Sequence, residues 1–164
     1  MRVERAQAED SAAVYALVQE AAEWLTERGI RQWIPGAYPA DRVARGVARG
    51  EVFVVRGANG ALEATLQLQD TDPEVWGADD GRALYLHRLT VARACAGRGL
   101  GAQLLAWALA EAALRGRALL RLDCVASNDF LRRYYAAAGF RERGDVAFGE
   151  LRLTRFERPV TGRS

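Results

Sequence analysis

A glycine-rich turn before a helix constrains the fold of this chain more than any other sequence feature. The turn is Ala96-Gly97-Arg98-Gly99-Leu100-Gly101, and it lies between an apolar run over residues 83–91 and a helical run over residues 100–114. The first backbone N–H groups of a helix have no intrahelical acceptor, and the helix dipole is positive at that end. The segment therefore predicts a strand, a turn and a helix whose junction binds an anion, and we expect a phosphate.

Two other interpretations of the turn remain open. Glycine adopts positive φ at little cost, so the glycines also fit a tight strand-to-helix turn that has no ligand. The run from Gly97 to Ala102 also matches the dinucleotide-binding pattern G-x-G-x-x-A, with Asp123 at a later strand end. In that fold the first glycine follows its strand almost directly, whereas residues 92–96 intervene here and a long segment precedes the unit. The comparison disfavours a dinucleotide site.

Helical and strand patterns alternate along the chain and predict an α/β fold, with a mixed sheet covered by helices. Apolar stripes bounded by caps and glycines predict helices over residues 11–28, 40–49, 100–114 and 128–138. Strand patterns cover residues 2–5, 52–55, 64–68, 83–91, 119–125, 140–146 and 150–156, with a hairpin at Asn59-Gly60. No repeat or low-complexity tract divides the chain. We therefore expect a single domain over residues 1–158 and a C-terminal tail over residues 159–164.

The charge and hydropathy of the chain exclude several classes of partner. The 23 basic and 21 acidic residues are interspersed and the net charge is +2, so the basic stripe of a nucleic-acid-binding protein is missing. The N-terminal residues form no hydrophobic export stretch, and no apolar segment approaches the roughly 18 residues that span a bilayer. We expect a cytoplasmic protein with no nucleic-acid or membrane partner, as a monomer or a homodimer.

The cysteine and histidine content argues against a metal site. Cys95 and Cys124 should stay reduced in the cytoplasm, and with the single His87 they cannot supply the four ligands of a structural zinc site. We therefore expect no metal.

A second motif lies downstream of the turn. Asn128, Tyr135, Gly139 and Phe140 stand in the pattern N-x-x-L-x-x-Y-Y-x-x-x-G-F. Together with the turn, this motif resembles the GNAT superfamily of N-acyltransferases, whose turn has the form Q/R-x-x-G-x-G/A. The resemblance covers residues 84–146 well and the N-terminal half more loosely. It implies a mixed, mostly antiparallel central sheet of six to seven strands flanked by about four helices.

The same resemblance implies acetyl-CoA as co-substrate. It implies that the backbone N–H groups of the turn bind the CoA pyrophosphate, through Gly97, Arg98, Gly99, Leu100 and Gly101. It further implies that the strand residues Leu89, Thr90 and Val91 pair with the pantetheine, and that Asn128 bonds its amide arm. Ala96 departs from the family, because it stands where Gln or Arg is preferred. Arg98 or Arg93 would supply the missing phosphate contact.

Acetyl transfer to an amine also needs an acid and a base. Tyr135 matches the general acid of the family, which would protonate the departing CoA thiolate; core packing is the alternative role for this side chain. An amine with a pKa near 10 is neutral only about one part in a thousand at pH 7, so its proton must be removed. His87 is the candidate base, because alternation places Tyr85, His87, Leu89 and Val91 on one strand face. A structural imidazole and a water chain remain alternatives.

The acceptor site is less constrained by the sequence. Acidic residues crowd the loop before residue 83 and could attract a cationic amine, while aromatic residues could stack on it. The acids are Asp70, Asp72, Glu74, Asp79 and Asp80, and the aromatic residues are Trp33, Tyr38, Trp76 and Tyr85. Simple solvation also explains the loop carboxylates. We predict an N-acetyltransferase that acts directly on a primary amine of a small molecule or peptide. A non-catalytic acyl-CoA sensor or interaction module on the same fold is the alternative.

Overall fold

A computed structural model of the chain describes residues 1–161. Seven strands form one mixed sheet in the order β1-β2-β3-β4-β5-β7-β6. The strands are β1 (Val3–Arg5), β2 (Val52–Arg56), β3 (Leu62–Gln69), β4 (Ala83–Val91), β5 (Leu119–Val125), β6 (Arg141–Phe148) and β7 (Leu151–Pro159). The helices are α1 (Ser11–Glu27), α2 (Ala40–Ala48), α3 (Pro73–Trp76), α4 (Leu100–Leu114) and α5 (Asp129–Ala137). This architecture confirms the predicted mixed α/β fold.

The chain divides into two compact units. The first contains Met1–Leu68 and Arg88–Leu104, and the second contains Gln69–His87 and Leu105–Ser164. The predicted single domain over residues 1–158 stays a prediction. Of the predicted tail, Pro159 is the last residue of β7, and residues 162–164 lie outside the described residues.

The first unit holds an antiparallel β1-β2-β3 meander against helices α1 and α2. The β2–β3 pairing runs from Val52↔Gln67 to Arg56↔Leu62, and the predicted Asn59-Gly60 turn connects the two strands. Alternate apolar positions bury a compact cluster, which includes Val14, Val18, Tyr38, Val43, Val47, Val52 and Val54. The α1 stripe reaches this cluster because Val14 and Val18 lie one helical turn apart.

The second unit contains the strand order β4-β5-β7-β6. β5 and β7 pair antiparallel from Leu119↔Pro159 to Val125↔Leu153, and β6 continues the sheet beyond β7. Parallel pairing of β4 with β5 covers Ala83↔Leu119 to Tyr85↔Arg121. The β4–β5 pairing ends at Tyr85↔Arg121, whereas β4 itself continues beyond Tyr85.

Two local features differ from the sequence expectation. The acidic loop contains the short helix α3, which begins at Pro73 after the capping position Asp72. Arg88 has φ of 53°, the left-handed conformation, inside β4. This conformation interrupts the regular alternation between His87 and Leu89, so the predicted shared face of Tyr85, His87, Leu89 and Val91 is not continuous. Among residues 1–161, no helix is both long and apolar enough to cross a bilayer.

Candidate active site

The glycine turn forms an open cradle of backbone N–H groups in the first unit. Gly97 and Gly99 have φ of 78° and 76°, which L side chains rarely adopt, so the turn requires glycine at both positions. None of the N–H groups from Gly97 to Ala102 donates a hydrogen bond to an acceptor within residues 1–161. Gln103 N–H is the first to do so, and it donates to the carbonyl of Gly99 at 3.1 Å. Six consecutive N–H groups without an acceptor at a helix N-terminus are the arrangement that binds phosphate in many proteins, and the phosphate site here stays a prediction.

The two arginines near this cradle have partners in the protein. Arg98 is 58% exposed and lies 3.3 Å from the carboxylate of Glu63. The guanidinium of Arg93 lies 3.8 Å from the ring centroid of Trp24. Ala96 lies in extended conformation directly before the cradle and contributes no polar side chain. The Arg98 guanidinium therefore already has one carboxylate partner. No carboxylate among the described residues pairs with the Arg93 guanidinium, although the Arg93 backbone N–H donates to Oε2 of Glu20 at 3.5 Å.

The end of β4 carries the predicted pantetheine-binding residues. Thr90 is buried, and its hydroxyl donates to the carbonyl of Arg88 at 2.9 Å, across the left-handed residue. Leu89 and Val91 are partly buried. The Thr90 hydroxyl therefore stabilises the irregular backbone that presents the main-chain groups of Leu89 and Val91.

Asn128 and Tyr135 lie on α5 in the second unit. Asn128 is the N-cap of this helix, and its side-chain oxygen accepts from the N–H of Leu131 at 3.1 Å. The residue thus has a structural role in addition to the predicted contact with the pantetheine. Asn128, the first residue of the downstream sequence motif, starts helix α5, and Gly139 near the end of that motif, with φ of 85°, terminates the helix.

Tyr135 is 8% exposed and packs among aromatic rings. Its ring centroid lies 5.7 Å from that of Phe156 and 6.1 Å from that of Phe140. Burial raises the pKa of Tyr135, with the neighbouring Cys124 and Asp123 adding to the effect, so the phenol keeps its proton at neutral pH. A proton donor is what thiolate departure requires.

The buried Cys124 shows how this environment affects a thiolate. Burial raises the pKa of Cys124 to about 12, because the charged form loses its hydration.

His87 lies in the second unit, at the end of the β4 segment that belongs to it. Its side chain is 22% exposed, and its Nε2 lies 3.4 Å from Oδ2 of Asp72. Asp123 on β5 is the third member of this cluster. The sequence pattern predicts Asp72 only as one of several loop acids and gives no link between it and His87. The pair Asp72-Pro73, a common start of a helix, was the sequence signal that Asp72 holds a fixed position.

Three of the four predicted acceptor aromatics lie under arginines of the chain, namely Tyr38, Trp76 and Tyr85. In the first unit, the Arg88 and Arg42 guanidinium groups lie 3.4 Å and 5.4 Å from the ring centroid of Tyr38. Tyr38 is buried, its hydroxyl donates to Oε1 of Gln67 at 3.3 Å, and Trp33 is partly buried in the same connection between α1 and α2.

The second unit repeats this arrangement. Arg121 and Arg155 lie 4.6 Å and 5.4 Å from the ring centroid of Trp76, which is 6.3 Å from that of Tyr85. The Tyr85 hydroxyl donates to Asp79 at 3.0 Å and accepts from Arg121 at 3.2 Å. The structure thus brings Trp76 and Tyr85 together, with arginines that sequence reasoning did not single out.

The amide cradle, helix α5 with its Asn128 cap and Tyr135, and the mixed sheet are features of the acyl-CoA-dependent N-acyltransferase class. Residues 18–140 match the acetyltransferase (GNAT) family, and the chain belongs to that family. This membership confirms the predicted family, the acyltransferase class and acetyl-CoA as co-substrate.

Similar proteins extend over nearly the whole chain. YesJ of Bacillus subtilis (strain 168), named an uncharacterized N-acetyltransferase, is 36% identical over 162 residues, which cover 93% of this chain and 87% of YesJ. A GNAT-family acetyltransferase of Listeria monocytogenes is 28% identical with a TM-score of 0.82, covering 96% of this chain and 94% of that one. The fold is also that of yncA from Salmonella typhimurium, solved with its cofactor acetyl-CoA, at 21% identity and a TM-score of 0.73, covering 100% of this chain and 96% of that one.

Proposed function

We propose that this protein transfers the acetyl group of acetyl-CoA directly to a primary amine of a small molecule or peptide. The observation that carries the proposal is the run of six N–H groups from Gly97 to Ala102 with no acceptor in the described chain. Such a run matches the charge and geometry of a diphosphate. In this proposal the turn holds the CoA pyrophosphate, and Leu89, Thr90, Val91 and Asn128 bind the pantetheine arm.

In this proposal the amine attacks the thioester carbonyl, the new C–N bond forms, and the C–S bond breaks. Tyr135 donates its phenolic proton to the departing thiolate, and the second proton that the acylated nitrogen releases restores the phenol. His87 takes the proton that the amine must lose; deprotonating an amine with pKa near 10 costs roughly 4 kcal/mol at pH 7. The end of the β4–β5 pairing at Tyr85 and Arg121 supports a thioester position between parting strands.

Tyr135→Phe tests the acid. The variant loses one oxygen from an aromatic cluster, so it should fold and bind acetyl-CoA normally while kcat falls on the order of 10²-fold or more. Tyr134→Phe is the matched control, because Tyr134 is the adjacent, less buried phenol on the same helix, and it should retain its rate. Steady-state kinetics with calorimetry separates the two effects. An unchanged kcat in Tyr135→Phe would remove this residue from the chemistry.

Ala96 favours one alternative function, a non-catalytic acyl-CoA sensor, because the family's usual Gln or Arg side chain is missing at the edge of the cradle. Incubation with acetyl-CoA and a mixed panel of amines, with detection of free CoA thiol, separates the two functions. Release of thiol identifies an enzyme and the reactive amine class. Binding of acetyl-CoA without release under any amine identifies a sensor.

A further inference from the structure

Asp72 carries a carboxylate oxygen that the fold leaves without a hydrogen-bond donor. Its side chain is 10% exposed, and Oδ2 is buried with no hydrogen-bond partner among residues 1–161. A buried carboxylate oxygen without a donor is costly, so a proton donor is expected to lie opposite it. The imidazole Nε2 of His87 lies 3.4 Å from this oxygen, close enough for a hydrogen bond after a shift of a few tenths of an ångström.

The cluster contains two carboxylates and one imidazole. The donor atoms of Asp72, His87 and Asp123 lie within 4.8 Å of one another. Two carboxylates beside one imidazole stabilise the imidazolium form by Coulomb attraction.

We propose that Asp72 is the positioning residue for His87: its Oδ2 accepts the Nε2–H proton, which places the proton-accepting lone pair on Nδ1. This inference rests on the proposed role of His87 as base. During the reaction an ammonium N–H bond of the acceptor breaks, its proton bonds to Nδ1, and the resulting imidazolium faces the Asp72 carboxylate. The carboxylate stays ionised throughout, and the proton leaves later to solvent. The arrangement follows the logic by which a carboxylate orients a catalytic imidazole in hydrolases.

The surroundings of Asp72 favour a proton donor beside its carboxylate. Burial raises the pKa of Asp72, the Val75 N–H opposes that shift, and the charge of Glu74 adds to it. A proton on Nε2 relieves the unfavourable burial of the anion. Within the second unit the acids of the cluster are Asp72 and Asp123, and both favour a charged imidazole.

His87 is the only histidine in the sequence, so its imidazole gives a single NMR spin system in the full-length protein. We expect Asp72→Asn to lower the pKa of His87 by about one unit or more, as loss of an adjacent opposite charge does. The share of the Nε2–H tautomer, read from the ¹⁵N shifts, should fall as well. Asparagine is also a good N-cap, so α3 should persist. Glu74→Gln, at an exposed site on the same helix, is the matched control and should shift the pKa much less.

An unchanged His87 pKa and tautomer in Asp72→Asn would overturn the inference. The pH dependence of kcat/KM tests the underlying function separately. If His87 is the base, the acid limb should move to lower pH in Asp72→Asn by the amount that NMR measures, with the KM for acetyl-CoA unchanged. An NMR shift with an unmoved acid limb would refute His87 as base and leave the positioning role of Asp72 standing.

Discussion

Gly99→Glu tests the amide cradle most directly, because the structure separates its conformational cost from its charge. Gly99 has φ of 76°, and an added Cβ would meet only Nε2 of Gln103 at 3.9 Å, an ordinary contact. The added Cβ therefore meets no steric clash, and the left-handed backbone costs about 1–2 kcal/mol for any L side chain. That cost lowers the stability of the protein whether or not CoA is present.

The charge acts on the ligand. A carboxylate about 5 Å from a phosphate repels it by about 3 kcal/mol at an effective dielectric constant of 20. Rotation of the side chain away recovers part of this energy, so we expect the Kd for acetyl-CoA to rise at least about tenfold, equivalent to about 1.4 kcal/mol. Gly99→Ala carries the strain without the charge and should bind within about threefold of wild type, a difference of about 0.7 kcal/mol.

Gly60→Glu is the matched control for titration calorimetry. Gly60 has φ of 82° with nothing within 4 Å of the added Cβ, so the substitution has the same backbone cost in the β2–β3 turn. It should leave the Kd unchanged. Wild-type affinity in Gly99→Glu would refute the cradle as the pyrophosphate site, and so would equal losses in the two glutamate variants.

Two further predictions concern stability. Burial raises the pKa of Cys124 to about 12, above the unfolded value of about 8.5, so its stabilising contribution is complete below about pH 8.5 and is lost as the pH rises toward 12. Cys124→Ala should therefore flatten the alkaline fall in urea-unfolding free energy by up to about 1.4 kcal/mol per pH unit, and an unaltered slope would contradict the assignment. Burial alone would raise the pKa of Asp10, but hydrogen bonds from Arg56 and the Gln7 amide outweigh burial and lower the pKa overall. The Asp10 carboxylate therefore stabilises the fold above about pH 4, and this stabilisation is lost as the pH falls below that value. Arg56→Met should lower the urea midpoint at neutral pH and differ less from wild type in acid, whereas Arg45→Met, in the exposed pair with Asp41, should have little effect at either pH.

The regular elements of the fold could be predicted from sequence because their signals are local. β4, α4 and β5 have the predicted bounds, since long apolar runs end at glycines or turns. The short helix α3 was missed because four residues are too few to show a helical period. The left-handed Arg88 was missed because the residue type gives no sign of it. Its conformation is accompanied by a contact with Tyr38, a residue far upstream in the chain.

The candidate site likewise has a part that could be predicted from local sequence and a part that could not. The anion cradle could be predicted because a glycine pattern at a helix start specifies main-chain geometry without help from distant residues. The partners of His87 and of the aromatic rings could not, because they come from other elements that only the folded chain brings together. Asp72 lies on the α3 cap and Asp123 on β5, and no spacing rule relates either of them to His87.

The arginines over Tyr38 and Trp76 act as competitors tethered to the chain. A tethered group has an effective concentration on the order of millimolar. A cation of equal intrinsic affinity for the ring must exceed that level to displace a guanidinium, and it must also leave its own hydration shell. Buffer ions and dilute amines at micromolar levels would leave both rings covered. Occupation of these rings by a cation is therefore governed by displacement of the resident guanidinium.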